Sequence, residues 1–138
     1  MKHLQTCIPN HDKNKLFLGQ PLKEITSLKE IYNFTYPEIM SHAKTVDVIW
    51  FNERRLPSAF FEIEHSTNIE HSLVKFYELQ DFSATLHIVA EGYRQKQFAK
   101  LMEKSIFRPL KKQVKFVTYD KIVNQYTQMC RLPSVDTI

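Results

Sequence analysis

Three acidic side chains fall where their type and spacing invite chemistry. Glu62 and Glu64 stand two residues apart in Ala59-Phe60-Phe61-Glu62-Ile63-Glu64-His65. Asp47 precedes Glu62 by fifteen positions, inside Val46-Asp47-Val48-Ile49-Trp50-Phe51. Side chains alternate along a strand, so Glu62 and Glu64 share the face of Phe60 while Phe61 and Ile63 take the other. Two like charges then lie roughly 7 Å apart at the backbone. Burying three carboxylates together is costly unless a positive group sits among them or they keep their protons. A hard divalent cation, Mg²⁺ or Mn²⁺, accepts oxygen ligands of this kind and removes the repulsion. The plainer alternatives are a strand end that reaches water, or pairing of the acids with Arg54 or Arg55.

Other residues compete for a role. Lys75, on the helix expected after the second strand, either brings a positive charge to the acids or is an ordinary solvated lysine. His65 and His71 suggest zinc, but alternation turns His65 away from the glutamates, and a core or surface histidine is the simpler reading. Ser66, His71 and Asp81 supply the types of a hydrolytic triad without a G-x-S-x-G turn to fix them, which sets that reading aside. A basic stripe is clearer. Lys96, Lys100, Lys104 and Arg108 recur every four residues, within a stretch from Tyr93 to Lys115 that holds eight basic residues and one acid, Glu103. Like charges at that spacing disfavour an isolated helix, and a polyanion alongside reverses the sign. The stripe suits contact with a nucleic-acid backbone and equally a solvated outer face; no base-reading motif accompanies it.

Elements must position these residues. Thr35-Tyr36-Pro37-Glu38 predicts a capped helix start, with a short helix before it over Ile25, Leu28, Ile31 and Tyr32. Residues 46–51 and 59–65 read as two strands joined by a short turn, hence antiparallel. Thr67-x-x-Glu70 predicts a helix start, running to about Phe82. Strands follow at 85–90 and 114–119, with a helix between from Tyr93 to about Phe107 and a last one over 120–129. A hairpin followed by alternating helices and strands gives an α/β fold: a mixed sheet covered by helices. Residues 1–20 read as an N-terminal arm or the remnant of an upstream domain, and residues 21–138 as the folded domain.

Composition narrows the field. At 138 residues with 43% hydrophobic and 25% charged side chains, one globular core is the expectation. Gly19 and Gly92 are the two glycines, so neither a dinucleotide fingerprint nor a phosphate-binding P-loop can be written. Cys7 and Cys130 stand far apart, against a zinc ribbon or a disulfide scaffold. No apolar run is long enough for a membrane span and the start lacks a signal-peptide core, so a soluble, cytoplasmic protein with no membrane partner is expected. The net charge of +4 does not by itself establish a nucleic-acid partner.

Asp47 followed by Glu62-Ile63-Glu64 at the end of a hydrophobic strand, then a helix, resembles the core of the PD-(D/E)XK nuclease superfamily. Val-Asp-Val-Ile-Trp-Phe-Asn (46–52), Phe-Phe-Glu-Ile-Glu-His-Ser-Thr (60–67) and Ser-Leu-Val-Lys-Phe-Tyr-Glu-Leu-Gln-Asp-Phe (72–82) look like a bacterial branch of it. The resemblance covers about residues 45–120. It implies a restriction endonuclease-like fold and a metal-dependent DNA phosphodiesterase of restriction or defence type, working as a homodimer or fused to other domains. Asp47, Glu62 and the Ile63 carbonyl would bind the metal. Glu64 stands where the superfamily usually has lysine, and would act as general base or ligand to a second ion; Lys75 would supply the displaced positive charge. The alternatives are the same fold kept as a catalytically inactive module that binds nucleic acid or a protein partner, and a structural domain with exposed acids.

Overall fold

The computed structural model describes residues 5–7, 16–17, 20–21, 31–64, 68–122 and 124. Seven strands and three α-helices are present among them, and residues 119–122 are helical as well. The strands are β1 (Gln5–Cys7), β2 (Leu16–Phe17), β3 (Gln20–Pro21), β4 (Val48–Phe51), β5 (Pro57–Ile63), β6 (Thr85–Ala90) and β7 (Val114–Thr118). The helices are α1 (Pro37–Ala43), α2 (Ile69–Glu78) and α3 (Gln95–Met102). A five-stranded sheet runs in the order β1-β4-β5-β6-β7, and β2 and β3 form a separate antiparallel pair. Pairing is antiparallel at β1–β4 and β4–β5 and parallel at β5–β6 and β6–β7. The fold is therefore a mixed sheet flanked by helices, as the element order predicts. Within the segment expected as an arm, Gln5–Cys7 pairs with β4 and extends the sheet.

The β4–β5 turn is built by Asn52. Its side-chain oxygen accepts from the backbone N–H of Arg54 (2.9 Å) and of Leu56 (3.1 Å). Arg55 takes the left-handed conformation that closes the turn. Both arginines are exposed at that tip. Asp47 lies before the first residue of β4 and Glu62 near the last of β5, at the opposite end of the hairpin. Pairing of the acids with Arg54 or Arg55 is thereby overturned.

The sheet separates two apolar cores. Ile49, Phe51, Phe60, Leu86, Ile88 and Val114 face one side, where α2 contributes Ile69, Leu73, Phe76 and Leu79. Val48, Ala59, Phe61, Ile63 and Val89 face the other, covered by Ile122. Strand alternation sets both faces, and a carboxylate at Glu62 falls on the α2 side.

Several boundaries differ from the sequence expectation. The cap of α1 is Tyr36, without a side-chain hydrogen bond, so Thr35 does not cap it. Asn68 caps α2, accepting from Glu70 N–H at 2.9 Å, and Thr67 lies outside the described residues. The helix expected over 93–107 is three pieces: a 3-10 turn at Gly92–Arg94, then α3, then a 3-10 turn at Ser105–Leu110. Ile31 and Tyr32 are not helical. The rest of the helix expected around them, from Ile25, lies outside the described residues, as does most of the one expected over 120–129.

Candidate active site

Antiparallel pairing of β4 and β5 brings Asp47 beside Glu62, and each carboxylate accepts from a backbone N–H of the other strand's segment. The Asp47 N–H donates to Glu62 Oε2 at 3.1 Å, and the Ile63 N–H donates to Asp47 Oδ2 at 2.6 Å. Each carboxylate thus replaces a backbone carbonyl where the ladder stops. Both residues are 2% exposed. Carboxylates at such depth need donors, because the ionised form only accepts. The other oxygen of Glu62 meets the Lys75 ammonium, which reaches back from α2 and also donates to the Thr45 carbonyl at 2.8 Å. Lys75 is therefore no ordinary solvated lysine. It stands three residues after Ser72, and its contact with Glu62 turns it toward the sheet.

Glu64 follows β5 and is held separately. Its N–H donates to the Val89 carbonyl at 2.8 Å, and its own carbonyl accepts from the Tyr119 hydroxyl at 3.0 Å. Its carboxylate accepts from the Ser72 hydroxyl. Glu91, Glu64, Arg94 and Asp47 all influence the Tyr119 phenol, whose pKa is pushed up to about 12, first by burial and then by these acids, against Arg94. The ends of β5, β6 and β7 and the start of β4 thus share one edge of the sheet, where parallel α/β strands generally present their ligands.

Burial raises the pKa of Glu62 well above the ordinary glutamate value; the Asp47 charge adds to the rise, and Lys75 opposes it. Asp47 and Glu62 form a buried pair of adjacent oxygen donors whose mutual repulsion a hard cation relieves, a donor set that fits Mg²⁺ or Mn²⁺. The expectation from the sequence is that all three acids gather within reach of one ion. Among the described residues no three acidic, histidine or cysteine side chains form such a group. Ser72 engages the Glu64 carboxylate from α2. His65 lies outside the described residues, and His71 is exposed on α2.

The basic stripe is divided by the broken helix. Lys96 and Lys100 are exposed on α3. Lys104 lies beyond its end and pairs with Glu70 at 2.9 Å, and Arg108 is exposed in the following 3-10 turn. Sequence reasoning missed Ser72, Tyr119 and the Thr45 carbonyl. Ser72 did carry a signal: it is a small polar residue on the otherwise apolar face of Ile69, Leu73 and Phe76.

No helix among the described residues is long and apolar enough to cross a membrane. No curated protein and no solved structure matches the chain. A protein family does, described as the type II restriction enzyme NmeDI C-terminal domain, over residues 2–137. With nearly its whole length matched, the chain belongs to this family of restriction-enzyme C-terminal domains.

Proposed function

We propose that the chain is a PD-(D/E)XK-type, divalent-metal-dependent phosphodiesterase domain acting on DNA, the hydrolytic part of a restriction-type enzyme. The observation that carries this reading is the buried Asp47–Glu62 pair, with the Asp47 N–H on one Glu62 oxygen, the Ile63 N–H on the Asp47 carboxylate and Lys75 on the second Glu62 oxygen. Asp47 and Glu62, with the Ile63 carbonyl, would hold Mg²⁺ or Mn²⁺. Once bound, the ion supplies Lewis-acid polarisation of the phosphate and lowers the pKa of water. The protein's own groups do the rest. Glu64 accepts the proton of the attacking water as its oxygen bonds to phosphorus, and the ester oxygen leaves with the bonding pair and takes a proton from solvent. Lys75 favours the ionised form of Glu62 against burial and Asp47, and places positive charge beside the phosphate. Lys96, Lys100 and Arg108 hold the DNA backbone, with Lys104 joining them if it leaves Glu70.

The test is cleavage of plasmid DNA with Mg²⁺ or Mn²⁺. Wild type should cut, and Asp47→Ala or Glu62→Ala should lower the rate by orders of magnitude while DNA binding without metal holds or improves. One observation favours the inactive binding module: Glu62 already has a cation, Lys75, against it. That reading predicts DNA binding without metal-dependent cleavage in any variant.

A further inference from the structure

Two hydroxyls from distant parts of the chain spend their protons on one residue. Ser72, on α2, donates to the Glu64 carboxylate, and Tyr119, just after β7, donates to the Glu64 carbonyl at 3.0 Å. A hydroxyl has a single proton to give. A helical serine commonly returns it to the carbonyl one turn back; Ser72 sends it across to the end of β5. It does so while 5% exposed, on a helix face otherwise filled by Ile69, Leu73 and Phe76. Glu64 itself is 4% exposed and lies just past the last residue of β5, where the strand no longer fixes the side chain. The Val89 carbonyl takes its N–H at 2.8 Å. Backbone donor, backbone acceptor and carboxylate are thus each restrained, from β6, from Tyr119 and from α2.

We propose that Ser72 and Tyr119 are positioning residues that fix Glu64 as the water-orienting group. This rests on the nuclease reading and assigns it two residues that the acidic motif does not contain. Ser72 sets the direction of the carboxylate. Tyr119 sets the height of the backbone that carries it. A misplacement of about 1 Å in a reacting group costs on the order of 100-fold in rate, so loss of either hydroxyl should act on turnover and leave binding alone.

The experiment compares wild type with Ser72→Ala, Ser72→Thr, Tyr119→Phe and Glu64→Gln. It reads kcat and KM for DNA cleavage, DNA affinity without metal, and the rise in melting temperature with Mn²⁺. Ser72→Ala should lose about 10- to 100-fold in kcat with KM unchanged, and Ser72→Thr should recover most of it. Tyr119→Phe, which keeps the ring, should lose kcat in the same way. All three, and Glu64→Gln, should keep the Mn²⁺-induced rise, which Asp47→Asn should abolish. Wild-type kcat in Ser72→Ala and Tyr119→Phe overturns the positioning role alone. So does loss of the Mn²⁺ rise in Glu64→Gln, which would make Glu64 a ligand. A fall in DNA affinity or in the Mn²⁺ rise that parallels the fall in kcat makes the hydroxyls structural and also overturns it. A wild-type protein that cleaves nothing with either metal refutes the nuclease reading, and the positioning role with it.

Discussion

At Glu62, burial, a neighbouring acid and a lysine act on a single carboxyl. Its folded pKa stands above the ordinary glutamate value of 4.5 because burial and Asp47 outweigh Lys75. Between those two pKa values the native protein keeps a proton that the unfolded chain has lost. This contribution to stability is complete below the unfolded value and is lost as pH rises through the folded one. In EDTA, Glu62→Gln should therefore melt higher than wild type at pH 8, with a smaller difference at pH 5; thermal melts at the two pH values check it. Lys75→Met should do the opposite: it removes the cation that opposes the rise in the Glu62 pKa, and should melt lower than wild type at pH 8. An equal melting temperature in the lysine variant would mean that solvent already screens the pair. The acids were legible in the sequence because strand alternation alone fixes which face Glu62 takes. Ser72 left only the signal of a polar residue on an apolar helix face, and Tyr119 looks like a core position until its partner on another element is known. That Lys75 reaches Thr45 and Glu62 depends on how α2 lies across the sheet, which no local pattern encodes.

Among elements, α2 matters most to the site, carrying both Ser72 and Lys75. Its first turn depends on the Asn68 cap, so Asn68→Ala should cost about 1 kcal/mol, measured by denaturant melts, with Asn68→Asp restoring most of it. Strand β6 carries a second titrating group on the far face. His87 stacks on Phe61 with ring centroids 4.6 Å apart, its Nε2 meeting Thr85 Oγ1 at 2.8 Å. Burial, and then Lys115, lower its pKa to about 4 from 6.5. The unfolded chain takes up the proton first, so stability falls as pH drops from 6.5 toward 4. His87→Gln should flatten that limb by on the order of 1–2 kcal/mol, read from urea midpoints at pH 7 and pH 5. Strand β6 itself was fully legible, because Thr85-Leu86-His87-Ile88-Val89-Ala90 carries β-branched Thr85, Ile88 and Val89 and is bounded by turn residues. The end of α3 was not. Phe107 follows Phe98 by nine residues, which on a continuous helix would turn it by about 180°, onto the opposite face. The chain breaks at Glu103 instead, and Phe107 and Leu110 reach the core from a 3-10 turn.

For the whole molecule, charge and topology are arranged separately. Acids collect at one edge of the sheet, and exposed lysines lie on α3 and the turn after it. DNA affinity should depend on the lysines and turnover on the acids. Lys96→Gln with Lys100→Gln should weaken DNA binding and reduce the slope of log affinity against log salt by about 2. Lys104→Gln alone should change neither, because its ammonium is already on Glu70; binding titrations from low to high salt decide between them. That exposed pair is worth at most about 1 kcal/mol. Strand β5 has a further consequence. It has neighbours on both sides, and every residue but Ser58 is buried. Its backbone amides can therefore meet solvent only when the molecule opens as a whole. In deuterium exchange, the amides of Phe61, Glu62 and Ile63 should be among the slowest and share one opening free energy, equal to that of global unfolding. The acids would then be in place in every folded molecule and absent from every unfolded one, with no partly opened form to dilute the site.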